Sequence, residues 1–182
     1  MRSDFDKKLN LTIARASHVL MEHQHPDGYW CFELEADCTI PAEYILMMHF
    51  MGEIDEDIEA KIAVYLRTHQ CEDGGWNLFY GGDSELSCSV KVYYALKLAG
   101  DSPDAPHMVK AREWITAHRG AAHVNMLTRY TLALFGQIPW KCVPFLPVEI
   151  MFMPRLFPFH FNRVSYWSRT VMIPLSILSP VR

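Results

Sequence analysis

Two stretches of the sequence decide the fold: RASHVLMEHQHPDGYW at residues 15–30 and KIAVYLRTHQCEDGGW at residues 61–76. They align without a gap at an offset of 46 residues, and they share a basic residue, Leu, His, Gln, Asp, Gly and Trp in register. Tryptophan is a rare residue, so its recurrence at a fixed offset is unlikely by chance. The agreement indicates an internal repeat, which is the first feature to look for in a sequence.

Each stretch is followed by a second similar one. Residues 42–52 resemble residues 90–100, and both end in glycine. A third, degenerate unit is formed by residues 110–115 and 127–136, where the Gln and the Gly-x-Trp are missing. Gly52, Gly100 and Gly136 are typical of helix C-termini. The repeat unit is therefore predicted to be a helix, a motif turn, a second helix and a closing glycine.

The spacing of apolar residues predicts the helices. Ile58, Ile62 and Leu66 recur at intervals of four residues and place one apolar face on the first helix of the second unit. A helix pair that exposes an apolar face must stack on its neighbours to bury it. The predicted fold class is all-α: a solenoid or, more specifically, an α/α barrel (toroid) of helical hairpins, incomplete in this chain.

The motif turns are predicted to be structural. A Gln amide both donates and accepts, so it can satisfy unpaired backbone groups at a neighbouring helix end. Trp supplies a large packing surface, and Gly allows a sharp turn between the two. The residues given this stapling role are Gln24, Gly28, Trp30, Gln70, Gly74 and Trp76.

Composition excludes several classes of protein. Half of the 182 residues are apolar, 13% are aromatic and the formal net charge is −4. These values exclude a disordered chain and a strongly basic protein, and no alternation of basic and aromatic residues suggests nucleic-acid binding. Residues 1–100 hold 8 basic and 17 acidic side chains, whereas residues 101–182 hold 9 and 4. The basic half is also rich in proline and aromatic residues.

The five cysteines do not form a recognisable framework. No C-x-x-C pair occurs, which argues against structural disulfides and favours a reducing compartment. His23, His25, Cys31 and Cys38 do not have zinc-finger spacing, so no metal is predicted. The charged N-terminus does not look like a secretory signal, and no apolar run reaches the roughly 18 residues of a membrane-spanning helix.

The Gln-x3-Gly-x-Trp turns resemble the QW motifs of class II triterpene cyclases. The downstream stretches IPW at residues 138–140, PVEIM at 147–151 and SYWSRT at 165–170 resemble bacterial squalene–hopene cyclases in particular. The resemblance extends from about residue 11 to residue 179, with motif order and spacing preserved.

The resemblance implies a function. Squalene–hopene cyclases are two-barrel α/α proteins that bind one face of the bacterial inner membrane from the cytoplasmic side. They cyclise squalene to hopene and hopanol without a metal or organic cofactor. A general acid protonates a terminal alkene, and ring closure proceeds through carbocations that aromatic faces stabilise in a dry cavity. Residues 1–182 would then be an N-terminal segment of such an enzyme, forming part of one barrel and lacking the catalytic barrel.

The resemblance also assigns roles to individual residues. Trp167 matches a tryptophan that lines the substrate cavity, and Glu43 matches a glutamate in the hydrogen-bond network behind the catalytic acid. Arg129 and Trp140 match recurrent positions and are interpreted as structural. The family's Asp-x-Asp-Asp acid is absent from the sequence, and the cluster at residues 55–57 is interpreted as a helix start instead. The chain alone is therefore predicted to hold no catalytic residue and to be inactive.

Two other readings remain open at this stage. The chain could be a non-catalytic helical-repeat scaffold that binds a partner through its open apolar edge. It could also belong to another α/α-barrel class, such as the protein prenyltransferase β-subunits, although the Asp, Cys and His of their zinc site cannot be assembled here. Residues 139–158, the least repeat-like segment, are predicted to be a connector or a lipid-contacting loop.

Overall fold

The structure is a computed structural model that describes residues 2–32, 36–157 and 160–181. All regular secondary structure in these ranges is helical, which confirms the predicted fold class; closure into a barrel stays a prediction. The chain divides into two compact units, residues 1–35 and residues 36–182. The first unit consists of α1 (Arg2–Glu22) and the first motif turn.

Within its described residues, 36–157 and 160–181, the second unit holds six further α-helices. They are α2 (Thr39–Met51), α3 (Glu56–Thr68), α4 (Leu86–Leu98), α5 (Pro106–Ala117), α6 (Met126–Leu134) and α7 (Tyr166–Val181). Four short 3₁₀ helices join them, at Gly120–His123, Trp140–Cys142, Val148–Phe152 and Phe161–Arg163. The last three lie within or beside the segment predicted to be least repeat-like.

Helix ends lie where the sequence predicts them. The Asp55 carboxylate accepts a hydrogen bond from the Ile58 backbone N–H at 3.0 Å, so Asp55 caps α3 and the acidic cluster marks a helix start, as predicted. Gly52, Gly100 and Gly136 all have left-handed φ angles, of 72°, 96° and 66°. These are the residues after α2, at the end of α4 and after α6, and only glycine adopts that conformation at low cost.

The core of the second unit is centred on α4. This helix packs against α2, α3 and α5, and eight of its thirteen residues are buried. Ile45 from α2, Leu66 from α3, Leu96 from α4 and Met108 from α5 have no exposed surface. The hairpins therefore bury one another's apolar faces, as a stacked repeat requires.

Each first helix of a hairpin in this unit ends in the same way. His69 stacks on Tyr65 with ring centroids 3.9 Å apart, and His118 stacks on Trp114 at 4.0 Å. In both cases Nδ1 of the histidine lies 2.8 Å from the carbonyl oxygen of the aromatic residue four positions earlier. His69 and His118 are therefore caps that satisfy a terminal carbonyl group of their helices.

Candidate functional site

The second motif turn is a buried hydrogen-bonded unit. Trp76 has no exposed surface, and its indole Nε1 donates to the Leu66 carbonyl in α3 at 2.8 Å. Its backbone N–H donates to Ser89 Oγ in α4 at 2.9 Å, so one residue joins the two helices of the hairpin. Gln70 Nε2 donates to the Gly74 carbonyl at 2.9 Å and closes the turn.

Gln70 also connects this hairpin to the next one. Its Nε2 donates to the His107 carbonyl, in the first turn of α5, at 2.9 Å. The predicted contact with a neighbouring helix end is therefore present, but it is made to a carbonyl oxygen. Gln70 Nε2 makes this contact as a donor, which is one of the two hydrogen-bonding roles that a Gln amide can have.

Gly74 is required at this turn for two reasons. Its φ angle is +101°, and a Cβ atom there would lie 2.7 Å from the Lys110 carbonyl oxygen of α5. The neighbouring Gly75 is equally crowded, since a Cβ atom would lie 2.6 Å from Ser84 Cβ. Gly74 therefore allows the turn to approach the following hairpin closely, and Gly75 allows it to pack against Ser84 within its own hairpin.

The first motif turn has the same internal bonds. Gln24 Nε2 donates to the Gly28 carbonyl at 2.8 Å, and Trp30 Nε1 donates to the Leu20 carbonyl at 2.6 Å. Gly28 has a φ angle of +88°. The repeat seen in the sequence is thus a repeat of hydrogen-bond geometry within each turn.

Asp73 adds a link that sequence reasoning missed. Its carboxylate accepts hydrogen bonds from the Gly75 N–H at 3.0 Å and from Ser84 Oγ at 2.7 Å. Burial opposes ionisation, but these bonds and one from Trp114 outweigh it and lower the pKa of Asp73. Because Trp114 belongs to α5, the Asp that recurs in the sequence also contacts the next hairpin.

A second carboxylate, Asp101, joins three helices. It follows the C-terminal glycine of α4 and accepts two hydrogen bonds from the Arg67 guanidinium of α3, at 3.0 and 2.5 Å. His107 Nε2 of α5 lies 2.6 Å from the same carboxylate. Burial alone would raise the pKa of Asp101, but the bonds from Arg67 and His107 lower it overall. No spacing pattern in the sequence links these three residues.

Glu43, for which the family resemblance implies a place in the network behind the catalytic acid, lies on α2. Its carboxylate is 2.7 Å from Lys91 Nζ of α4. The Glu43 side chain is 48% exposed, whereas that of Lys91 is only 7% exposed. Sequence reasoning did not single out Lys91 as a functional residue. A signal was present, because Lys91 is one of only two charged residues between Leu86 and Leu98, a stretch that forms a largely buried helix.

The surroundings of Glu43 are apolar. Ile40, Tyr44 and Met47 lie on the same outward side of α2, and each has more than two fifths of its surface exposed. The opposite side of the helix, with Ile45, faces the core. We call the outward residues Ile40, Glu43, Tyr44, Met47 and Met51 the α2 open face.

Cys88 lies on the buried side of α4, beneath Glu85. Burial raises the pKa of the Cys88 thiol to about 11. Hydrogen bonding and the charge of Lys91 act in the opposite direction but do not compensate. The thiol is therefore neutral at physiological pH and is a packing group rather than a nucleophile.

Trp167 lies in the first turn of α7, and 77% of its surface is exposed. Its backbone carbonyl accepts a hydrogen bond from Thr170 Oγ1 at 2.7 Å. The other two residues carried over from the resemblance are packed: Arg129 Nε donates to the Val124 carbonyl at 3.1 Å, and the Trp140 ring contacts Tyr130 edge-on. The described residues do not bring Trp167 and Glu43 together by any bond.

Among residues 2–32, 36–157 and 160–181, no three His, Cys, Asp or Glu side chains come together as metal ligands would. In the same part of the chain, no helix has both the length and the apolar character that crossing a bilayer needs.

Fold and turn geometry define an all-helical repeat protein in which Gln…Gly-x-Trp turns follow the first helix of a repeat. Residues 13–182 match the family model of the squalene–hopene cyclase N-terminal domain. The chain therefore belongs to the squalene–hopene cyclase family and corresponds to its N-terminal domain.

Individual relatives are consistent with this family assignment. The chain is 57% identical over 171 residues to the squalene–hopene cyclase of Zymomonas mobilis, covering 93% of this chain and 26% of the relative. It is 38% identical to the squalene–hopene cyclase of Alicyclobacillus acidocaldarius, with 92% and 26% covered. It is 35% identical to the dammaradiene synthase of the fern Dryopteris crassirhizoma, with 93% and 25% covered. The chain thus spans about a quarter of the length of these relatives.

Proposed function

We propose that this chain supplies the N-terminal part of an enzyme that cyclises squalene to hopene and hopanol. The observation that carries the proposal is the 57% identity to the Zymomonas mobilis cyclase across nearly the whole chain. The paired motif turns support it, since both copies have the internal hydrogen bonds that the repeat predicts. The proposed substrate is an apolar polyene, and no cofactor is needed for protonation-initiated cyclisation.

The 182 residues are proposed not to cyclise squalene by themselves. The sequence contains no Asp-x-Asp-Asp, so the acid that starts the cascade has to come from further polypeptide in the second barrel. In this proposal the chain supplies side chains that support the catalytic acid and line the cavity, and it does not supply the proton. Glu43 would belong to the hydrogen-bond network behind the acid, and its exposed carboxylate on the α2 open face suits a contact with that polypeptide.

Trp167 is proposed to line the substrate cavity. Its large exposed indole surface supports this role, because a ring can stabilise a carbocation only if its face is accessible to the substrate. A dry cavity also requires that other polypeptide cover the ring and exclude water. Trp167→Ala in a complete cyclase is expected to lower turnover, and Trp140→Ala provides a control for the loss of a packed tryptophan.

Gas chromatography of squalene incubations tests the main proposal. The chain alone is compared with a chimera in which residues 13–182 replace the matching segment of the Zymomonas mobilis cyclase. Hopene from the chimera and none from the chain is the expected result. A folded but inactive chimera would contradict the proposed function. Hopene from the chain alone, free of other cyclase, would show that these residues contain an acid of their own.

A peripheral position on the cytoplasmic face of the inner membrane is also proposed. Phe152 and Leu156 are 84% and 92% exposed, and Arg155 lies between them. Exposed apolar side chains beside a basic residue suit the surface of an anionic membrane. Co-sedimentation of the chimera with vesicles containing phosphatidylglycerol tests this, and Phe152→Ser with Leu156→Ser is expected to weaken it. Unchanged sedimentation of that double variant would exclude this segment as the contact.

A non-catalytic scaffold is the second candidate, and the α2 open face favours it. Apart from Glu43, the residues of this face are apolar and exposed, and an exposed apolar patch often marks a protein interaction site. A partner protein bound there would require no chemistry. Hopene formation by the chimera would decide in favour of the cyclase.

A further inference from the structure

Lys91 is a buried ammonium group with a partner at the surface. Its side chain is 7% exposed, and it extends from α4 to the Glu43 carboxylate of α2, 2.7 Å away. The neighbouring residues of α4, Val90 and Val92, are buried and apolar. Lysine is almost never buried to this extent unless it is paired.

Stability alone does not account for a lysine at this position. Removing an ammonium group from water is costly, and an apolar side chain of similar volume often replaces a buried ion pair without loss of stability. A methionine would fill the same space. The choice of lysine therefore points to what its charge does to Glu43.

The effect of Lys91 on Glu43 is to fix its orientation. An exposed glutamate normally samples many rotamers, but a short charge-assisted hydrogen bond holds one carboxylate oxygen in place. Nearly half of the Glu43 side chain stays exposed on the α2 open face, so the carboxylate can accept a further hydrogen bond there. A single oriented acceptor in an apolar surface can bind a hydrogen-bond donor with defined geometry.

We infer that Lys91 is a positioning residue for the cyclisation reaction, which holds the Glu43 carboxylate in the direction its network requires. The inference rests on the proposed function, because it assumes that Glu43 contributes to catalysis. Lys91 does not touch the substrate and acts only through Glu43. Its loss should therefore change turnover rather than substrate binding.

The kinetic test uses the chimera with Lys91→Met, Glu43→Gln and both changes together. Lys91→Met is expected to lower kcat by roughly 10- to 100-fold with KM unchanged, since small displacements of catalytic groups have effects of this size. The double variant should be no slower than Glu43→Gln. Lys97→Met, at the exposed end of the same helix, is the matched control and should keep the wild-type kcat.

The outcomes distinguish the positioning role of Lys91 from the proposed function of the chain. An inactive wild-type chimera would contradict the proposed function. An active chimera in which Glu43→Gln lowers kcat but Lys91→Met does not would overturn the positioning role alone. Additive losses in the double variant would also overturn it, because they would show that Lys91 acts independently of Glu43.

A second measurement tests the positioning directly in the 182-residue chain, independently of activity. In nuclear magnetic resonance spectra, the two Hγ protons of Glu43 are expected to have distinct shifts and couplings, as in a single rotamer. In Lys91→Met they should converge toward averaged values. Averaged values in the wild-type chain would overturn the inference whatever the chimera does.

Discussion

Substitution of Gly74 by alanine measures how closely two hairpins approach each other. Gly74 and Gly100 have nearly the same backbone conformation, with φ angles of +101° and +96°. A Cβ atom at Gly100 would have no neighbour within 4 Å, whereas one at Gly74 would lie 2.7 Å from the Lys110 carbonyl oxygen. The two alanine variants therefore share the strain of a positive φ angle and differ in the contact.

The magnitudes follow from this difference. A left-handed alanine costs about 1–2 kcal/mol, so Gly100→Ala is expected to lower the free energy of unfolding by that amount. A carbon and a carbonyl oxygen normally stay about 3.3 Å apart or more, and the obstructing atom belongs to the backbone of α5. Forcing extra volume into such a packed site typically costs a further ~1–3 kcal/mol. Gly74→Ala should therefore lose about 2–5 kcal/mol.

Urea unfolding followed by circular dichroism at 222 nm, with a mild non-ionic detergent present throughout, measures both values. With a urea m-value of about 2 kcal/mol/M, the two midpoints should differ by roughly 0.5–1.5 M. Lys110→Ala should not rescue Gly74→Ala, because the obstructing atom is a main-chain oxygen. Equal midpoints for Gly74→Ala and Gly100→Ala would refute the close approach of the second turn to α5.

Four further predictions concern charge, protonation, reactivity and assembly. Glu43→Gln leaves the buried Lys91 ammonium with a weaker acceptor and should cost about 1–3 kcal/mol, whereas Lys91→Met should stay within about 1 kcal/mol of wild type; equal losses in urea unfolding would contradict this asymmetry. Because the folded-state pKa of Asp101 is lowered, its ion pairs stabilise the fold above the ordinary carboxyl pKa of about 4, and this stability is lost as the pH falls through the lowered value. Asp101→Asn should therefore flatten the pH dependence of the unfolding midpoint in that acidic range, and an unchanged pH profile would exclude the effect. The Cys88 thiol, with its pKa raised to about 11, should react with iodoacetamide at pH 8 far more slowly than the exposed Cys142, as peptide mass spectrometry would show, and comparable rates would mean that α4 opens readily. Finally, the α2 open face should make the chain associate or bind detergent, so a sharp monomer peak in detergent-free gel filtration would count against an exposed apolar surface.

The local parts of the fold could be predicted from the sequence because their signals are local. The Gln24 and Gln70 turns and the stops at Gly52 and Gly100 depend on residues a few positions apart, so their spacing is visible in the sequence. The all-helical class follows from the same periodicity. In each case the interacting atoms lie within a single hairpin.

The contacts between hairpins could not be predicted, because they join residues far apart in sequence. Gln70 binds the backbone of His107, 37 positions away, and the side chain of His107 carries no information about that bond. Arg67 and Asp101 are separated by 34 positions and have no pattern to link them. Lys91 is a different case, because a charged residue in an otherwise uncharged stretch of α4 is visible in the sequence. Its partner, Glu43, is 48 positions away and becomes apparent only when α2 packs against α4.

The bond from Gln70 to the His107 carbonyl has a consequence for how such a protein can evolve. Every residue has a main-chain carbonyl, so the receiving helix can change its side chains and still be held by the preceding turn. The side chains of a duplicated hairpin therefore need not stay complementary to those of its neighbour. The hairpin of α5 and α6 illustrates this freedom: it has lost the Gln and the Gly-x-Trp, yet it remains attached as a recipient. The hairpin of α5 and α6 can therefore diverge further while the Gln70 turn continues to hold its first helix.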